Sequence, residues 1–486
     1  MKERALQVDF CVVGAGGGGA VVAAELAEAG ARVALLEQGP GHDPDGFTAR
    51  PPEMLAKLYR DAGQTTTIGS PPILLPLGRG VGGTTLVNSG TCFRTPEHVL
   101  ARWRAEFGLE LEGAAIEACF ERVERSLSVG EVTPELAGEN AAVARRGAER
   151  LGWSHGYLRR NARGCVGSGV CVFGCPTSAK QHTGITYVPR AVRAGAELIT
   201  GADVRELSVV RSRVRGVVAR LKGGERLKVR AGETILACGT IHTPLLLAHS
   251  GVAGASGQLG RNLSLHPATA VLALMGEQVN MARGVPQSFY VDEFAQEGIM
   301  FETVAGPPSY AAMALPLQGA EHARAMARYP HLAQLGLMVS DSSRGSVHAL
   351  GRRPVIRYTL GEADLERVRR GLARIEQLLR AAGASEVYLP LPRGVAPGTA
   401  RRGDLRLMAF HPLGTARADA RARHGVVDGD LAVHGLRGLH LADGSVVPSS
   451  LGVNPQITIM ALATRLAFHL LGRPVPASPK LASTTP

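Results

Sequence analysis

The pattern of apolar and polar positions is sharpest near the start of the chain. An apolar, β-branched run, Phe10 to Val13, meets Gly14-Ala15-Gly16-Gly17-Gly18-Gly19. A small-residue helical run, AVVAAELAEAG, follows and ends at Gly30 as a C-cap. A second apolar run, Val33 to Leu36, ends in Glu37. This predicts strand, glycine turn, helix, strand: one βαβ unit. Residues 97–152 place apolar positions at helical spacing among charges (VLARWRAEFG, AAIEACFERVERSL) and read as covering helices. A helix ending near Gly195, strands at Glu197–Thr200, Val209–Leu221 and Glu225–Val229, and a helix begun at Thr243-Pro244 come next. From residue 268 to 409 the texture changes to short strands (AVLALMG, HLAQLGLMV, VIRYTL) and one strong helix, Glu362 to Ala382. The expected class is α/β (α+β overall). One Rossmann-like domain, residues 1–267 and 410–472, is interrupted by a sheet-based substrate domain, 268–409, and followed by a flexible tail, 473–486.

The glycine turn carries chemistry. Gly14-x-Gly16-x-x-Gly19 is a dinucleotide fingerprint: Gly14 for the tight turn, Gly16 for backbone approach to a pyrophosphate, Gly19 for close helix–strand packing. The helix start offers free N–H groups to the phosphates. Glu37, 23 positions after Gly14, is placed to accept hydrogen bonds from a ribose diol. A flexible glycine loop would show the same spacing in a chain with 61 glycines, but strand, helix and acid all fall in their places.

Composition narrows the classes. The chain has 486 residues, 45% hydrophobic and 20% charged, enough for two or three domains. Its net charge is +12, from arginines scattered along the chain, densest at Thr399–Arg406. Aromatics at 4% supply few stacking platforms, so a nucleic-acid partner is not expected. No run of 18 clean apolar residues occurs; Ile457–Leu471 is broken by Arg465 and His469. The first strand begins at once, so the chain is expected to be cytoplasmic, or exported only with a partner subunit. Seven cysteines, three of them clustered, argue against a secreted disulfide framework.

A second glycine stretch, LGRGVGGTTLVNSG (residues 77–90), sets Gly82, Gly83 and Thr84 before Asn88. It resembles the first signature of the glucose–methanol–choline (GMC) flavin oxidoreductases, with cholesterol oxidases and fatty-alcohol oxidases closest in wording. The stretch at residues 233–251 resembles the second signature. The resemblance implies FAD along residues 82–88, with Asn88 by the flavin ring, Glu37 on the adenosine ribose and backbone at Val204 against adenine. Near the C-terminus, His411-Pro412-Leu413-Gly414-Thr415 and Gly452-Val453-Asn454-Pro455 are worded almost as in cholesterol oxidases. Hydride removal from an alcohol needs a group that manages the hydroxyl proton and one that orients the oxygen. Histidine and asparagine suit these roles. By resemblance, His411 is the first and Asn454 the second. Asn454-Pro455 backbone lies near the flavin, and Asp443 and Gly444 bind the pyrophosphate or ribityl chain. The implied reaction is FAD-dependent oxidation of an alcohol; the stretch Pro307–Leu317 hints at an apolar one. Two rivals remain: a redox-neutral lyase that keeps FAD, and a binding subunit that has lost activity. His242 and His249 read as structural or cofactor-adjacent; Cys11, Cys119 and Cys238 read as core.

Cys165, Cys171 and Cys175 form C-x5-C-x3-C-P within a glycine-rich stretch. Three thiolates suit a [3Fe–4S] cluster, and the spacing resembles GMC-type sugar dehydrogenases. With a cluster, electrons would leave to a protein or quinone acceptor; without one, to O2. Zinc with His182 as fourth ligand, or plain thiols near the flavin, are the alternatives.

Overall fold

The computed structural model describes residues 3–476 except 253 and 255; the last part of the expected tail, 477–486, lies outside the described residues. The opening βαβ unit forms as expected: strand Glu3–Val13, helix Gly17–Glu28, strand Val33–Glu37. Both strands lie parallel, Val12 opposite Leu35 on one side and Ile235 on the other. Val33–Glu37 is buried along its whole length, as a strand covered on both faces must be. The sheet has seven strands, and Leu439–Leu441 returns late in the chain to pair parallel with Arg226–Leu236. The helix packs so close to its surroundings that a Cβ at Gly18 would stand 1.6 Å from the Ala442 carbonyl oxygen, and one at Gly19 1.9 Å from that of Gly14.

One boundary differs from expectation. The run Val209–Leu221 is two strands, Ala202–Val210 and Arg213–Leu221, paired antiparallel. Arg211 and Ser212 between them both have positive φ, the two-residue turn whose twist matches a hairpin. Neither is Gly or Asn, so the run carried no turn signal.

The second sheet has eight strands, built on Ala268–Leu274, Leu332–Val339 and Ile299–Thr303 in antiparallel register. The helix Glu362–Ala381 buries Leu365, Val368, Leu372, Ile375, Leu378 and Leu379 and packs against this sheet. Two of the strands, Ile73–Leu74 and His155–Tyr157, come from the first 267 residues. The stretch Pro308–Ala314 is a short helix with proline in its first turn. No helix among the described residues is long and apolar enough to cross a membrane.

Candidate active site

Between the two sheets lies one large cavity, about 2640 Å³ of empty volume with its open mouth included. Gly16, Gly17 and Gly18 line one end, with Glu37; Gly83, Thr84 and Asn88 line the middle, with Asp443, Gly444 and Pro455; Asn454 and His411 line the other end. These groups are far apart in sequence, but Glu37 ends a strand and Gly16 and Pro455 cap helix starts, the places where an open α/β sheet puts its ligands.

The dinucleotide end fits the group the sequence pointed to. Gly16 caps the helix Gly17–Glu28 with no side-chain bond, leaving the first-turn N–H groups for an anion. The two glycine turns touch: a Cβ on Gly83 would stand 2.8 Å from the Gly16 Cα. Side chains here would fill the space a cofactor backbone needs. Glu37 Oε2 accepts from Ala15 N at 2.9 Å and Oε1 from Gly39 N at 2.7 Å. Burial pushes its carboxyl up, against these two bonds. Arg60 and Arg79 line the same end beside Glu37, two cations suited to a pyrophosphate. Neither was singled out from sequence, where they read as loop arginines.

Several expected residues sit behind the wall. Gly14 and Gly19 shape the turn without lining the cavity, and Gly82, at φ +110°, packs by His182 Nδ1. Val204 does not line the cavity; it pairs with Ala219 at the edge of the sheet, beside a Gln38–Asp203 side-chain bond. Asp443 spends its oxygens on protein. Oδ1 accepts from Ser445 N at 2.8 Å, and Oδ2 from Gly239 N at 2.9 Å and Thr243 Oγ1 at 2.5 Å. It ties the two flanking segments together at the cavity floor. Cys238, read as core, packs against the main core and also lines the cavity, as does His242. His249 bonds back to Leu245 O within its own helix. Cys11 and Cys119 are fully buried core.

At the reacting end, Asn454 Nδ2 and His411 Nε2 stand 3.5 Å apart, a weak contact. His411 Nδ1 and Asn454 Oδ1 are buried without protein partners. Burial pushes His411 down to about 4, so its ring is neutral near pH 7. A third group joins them. Glu302, 6% exposed in the strand Ile299–Thr303, lines the cavity and accepts from Gln287 Nε2 at 2.6 Å. Its Oε1 has no partner, and burial pushes the carboxyl up to about 7, against the pull of Asn454 and Gln287. Sequence reading missed Glu302. The signal was one acid inside an apolar strand, IMFET, which has no reason to be there as core.

The structure lends the cluster and zinc readings of the cysteines no support. Among the described residues, no three His, Cys, Asp or Glu side chains form a group that could hold a metal ion. Cys165 packs against the second sheet's core. Cys171 Sγ accepts from Arg160 Nη2 at 3.2 Å, and Cys175 Sγ from Lys180 N at 3.4 Å. His182 is buried, and burial pushes it down to about 3. The loop instead works as a clamp. The buried Lys180 ammonium donates to Leu86 O at 2.9 Å, Asn88 O at 2.6 Å and Cys171 O at 2.8 Å, fixing the segment that carries Asn88. Asn88 Nδ2 in turn donates to Gln456 Oε1.

Comparison with known proteins gives the same class. Two family models, both described as GMC oxidoreductase, match residues 55–268 and 341–463. An uncharacterised GMC-type oxidoreductase of Mycobacterium tuberculosis is 40% identical over 483 residues, covering 96% of this chain and 76% of its own. A long-chain-alcohol oxidase of Arabidopsis thaliana is 30% identical over 506 residues, covering 94% of this chain and 66% of the oxidase. Among solved structures, formate oxidase of Aspergillus oryzae aligns with TM-score 0.76 at 16% identity, covering 96% of this chain and 98% of its own. Pyridoxine 4-oxidase of Mesorbium loti aligns with TM-score 0.75 at 20% identity, covering 96% and 99%. At these identities the two structures speak for the fold alone.

Proposed function

This chain belongs to the GMC oxidoreductase family, and from that premise we propose that it oxidises an apolar alcohol to the aldehyde or ketone, with FAD as cofactor and O2 as final acceptor. The observation that carries the proposal is the pairing of His411 with Asn454, both holding unpartnered polar atoms, in the same cavity as the Gly16–Gly18 turn and Glu37. FAD, when bound, supplies the two-electron hydride acceptor. Gly16–Gly18 and the helix N-terminus would hold its phosphates, with Arg60 and Arg79 balancing their charge, and Glu37 would hold the ribose.

The chain's own groups manage the proton. An alcohol oxygen lodged between Asn454 and His411 accepts from Asn454 Nδ2 and gives its proton to His411 Nε2, the acceptor nitrogen when the neutral ring carries its own proton on Nδ1. Removing that proton raises electron density on the oxygen and eases loss of hydride from carbon. Glu302, linked to Asn454 and Gln287 in the same cavity, is the group beside the site whose titration falls near neutrality. Val304, Ala305, Leu337, Met338 and Met408 line the cavity with apolar surface, in keeping with an apolar substrate. Relatives named long-chain-alcohol oxidases support the same choice. The deciding experiment is a panel of long-chain, sterol, sugar and aryl alcohols mixed anaerobically with the holoprotein. Long-chain or ring alcohols should bleach the flavin. A protein bleached only by sugars would end the apolar reading, and one bleached by no alcohol would end the oxidoreductase reading of this site.

A further inference from the structure

His266 stands at the reacting end of the cavity and has no place in the proton path above. Its side chain is 1% exposed, and the residue lines the cavity wall. Nε2 accepts two backbone N–H bonds, from Leu451 at 2.9 Å and from Gly452 at 3.0 Å. A ring nitrogen that accepts bears no proton, so the neutral ring carries its proton on Nδ1. Nδ1 has no protein acceptor. The ring stands edge-on to His411, centroids 5.3 Å apart. Protonating Nε2 would set three donors against one another. Burial, and secondarily His411, hold the ring well below its ordinary pKa, so the acceptor persists.

The backbone beneath the ring is tied as firmly. His266 has φ +51°, a conformation uncommon outside glycine. Its N–H donates to Asp341 at 3.2 Å, and that of Leu265 does so at 3.0 Å. The same carboxylate accepts from Tyr358 Oη at 2.8 Å. Such a backbone persists only where its surroundings over-determine it, as they do here. Leu451 and Gly452 open the turn that ends in Asn454, two residues on. A core histidine filling space would need no such arrangement, since one bond would satisfy it.

We propose that His266 is a positioning residue that sets Asn454 against His411 by pegging the 451–454 turn through Nε2. It acts on the reaction only through Asn454, so the inference rests on the reading of Asn454 as the group that orients the alcohol. Two substitutions separate the peg from mere bulk. The amide of glutamine reaches where Nε2 sits and can accept from both N–H groups. The amide of asparagine reaches only as far as Nδ1.

The test uses holoprotein and anaerobic flavin reduction by the best alcohol of the panel, with His266→Gln and His266→Asn made in the wild-type and the Asn454→Ala backgrounds. His266→Asn should slow reduction about tenfold to a hundredfold, the scale of a misplaced reacting group, with FAD still bound. His266→Gln should lose no more than about threefold, and in Asn454→Ala the His266→Asn change should cost no more than about twofold, because the two act as one. Wild-type rates in His266→Asn would overturn the proposal. So would equal losses for both substitutions, or full multiplication of the His266→Asn and Asn454→Ala effects. A His266→Asn protein that sheds FAD and melts early in both backgrounds would assign the ring a scaffold role and overturn it too. An Asn454→Ala protein reducing at the wild-type rate would instead remove Asn454 from the reaction, which is a separate failure.

Discussion

At the scale of single residues, the candidate site holds groups kept uncharged by burial. His411 at about 4 remains a base across the neutral range, so its own titration should leave no limb in the pH profile between 6 and 8. His411→Ala should slow anaerobic flavin reduction by roughly 10²–10⁴ with FAD retained, as for a lost general base. Glu302 is where a pH limb should appear. Its folded value of about 7 lies above the ordinary 4.5, so between those pH values the folded state binds more protons than the unfolded one. The contribution to stability is therefore full below pH 4.5 and is lost as pH rises through 7, on the order of 3 kcal/mol over that span. Chemical denaturation at pH 5 and pH 8 should show this decline in the wild type and its disappearance in Glu302→Gln. The same variant should lose the activity limb near pH 7. Glu302 was not legible beforehand, because nothing in IMFET says which face of the strand meets a cavity.

At the scale of elements, the glycine turns separate two failures. A Cβ on Gly16 meets only Gly83 Cα at 3.7 Å, so Gly16→Val should fold yet purify colourless, its side chain standing where phosphates approach. Gly18→Ala places a carbon 1.6 Å from Ala442 O and should lower the thermal midpoint whether or not FAD is added. An equally yellow Gly16→Val would count against the phosphate cradle. The cysteine loop makes a third case. Lys180→Met strands two buried carbonyls, each costing about 1–3 kcal/mol, and the part-buried Asn88 carbonyl, and should both lower the melting point and loosen FAD, read by melting with and without added cofactor. The opening βαβ unit was legible because its period, caps and glycines all agree. The hairpin turn at Arg211–Ser212 was not, since it uses residues that carry no turn preference. The cysteine spacing matches a cluster loop in sequence, while in the structure Arg160 Nη2 and Lys180 N donate to two of the thiols.

At the scale of the whole molecule, the cavity lies between two sheets that exchange strands along the chain, so cofactor end and reacting end are held by one packed body. With O2 as final acceptor, as proposed, turnover of alcohol in air should release hydrogen peroxide one for one with product, measured by a coupled peroxidase assay. Iron and sulfide at cluster stoichiometry, with EPR signals and little peroxide, would reverse that expectation. The sequence by itself determined the βαβ unit, the acid at its end, the helical cover and the His411 and Asn454 motifs, because these depend on local period and on short-range turn chemistry. Only the tertiary structure decided that Glu302, Arg60 and His266 share the cavity with them, and that among the described residues no metal-ligating group gathers at Cys165, Cys171 and Cys175. Those outcomes depend on which loops and strands the fold brings to one cavity. Burial then sets the protonation of each group, and burial belongs to the assembled fold rather than to any stretch of chain.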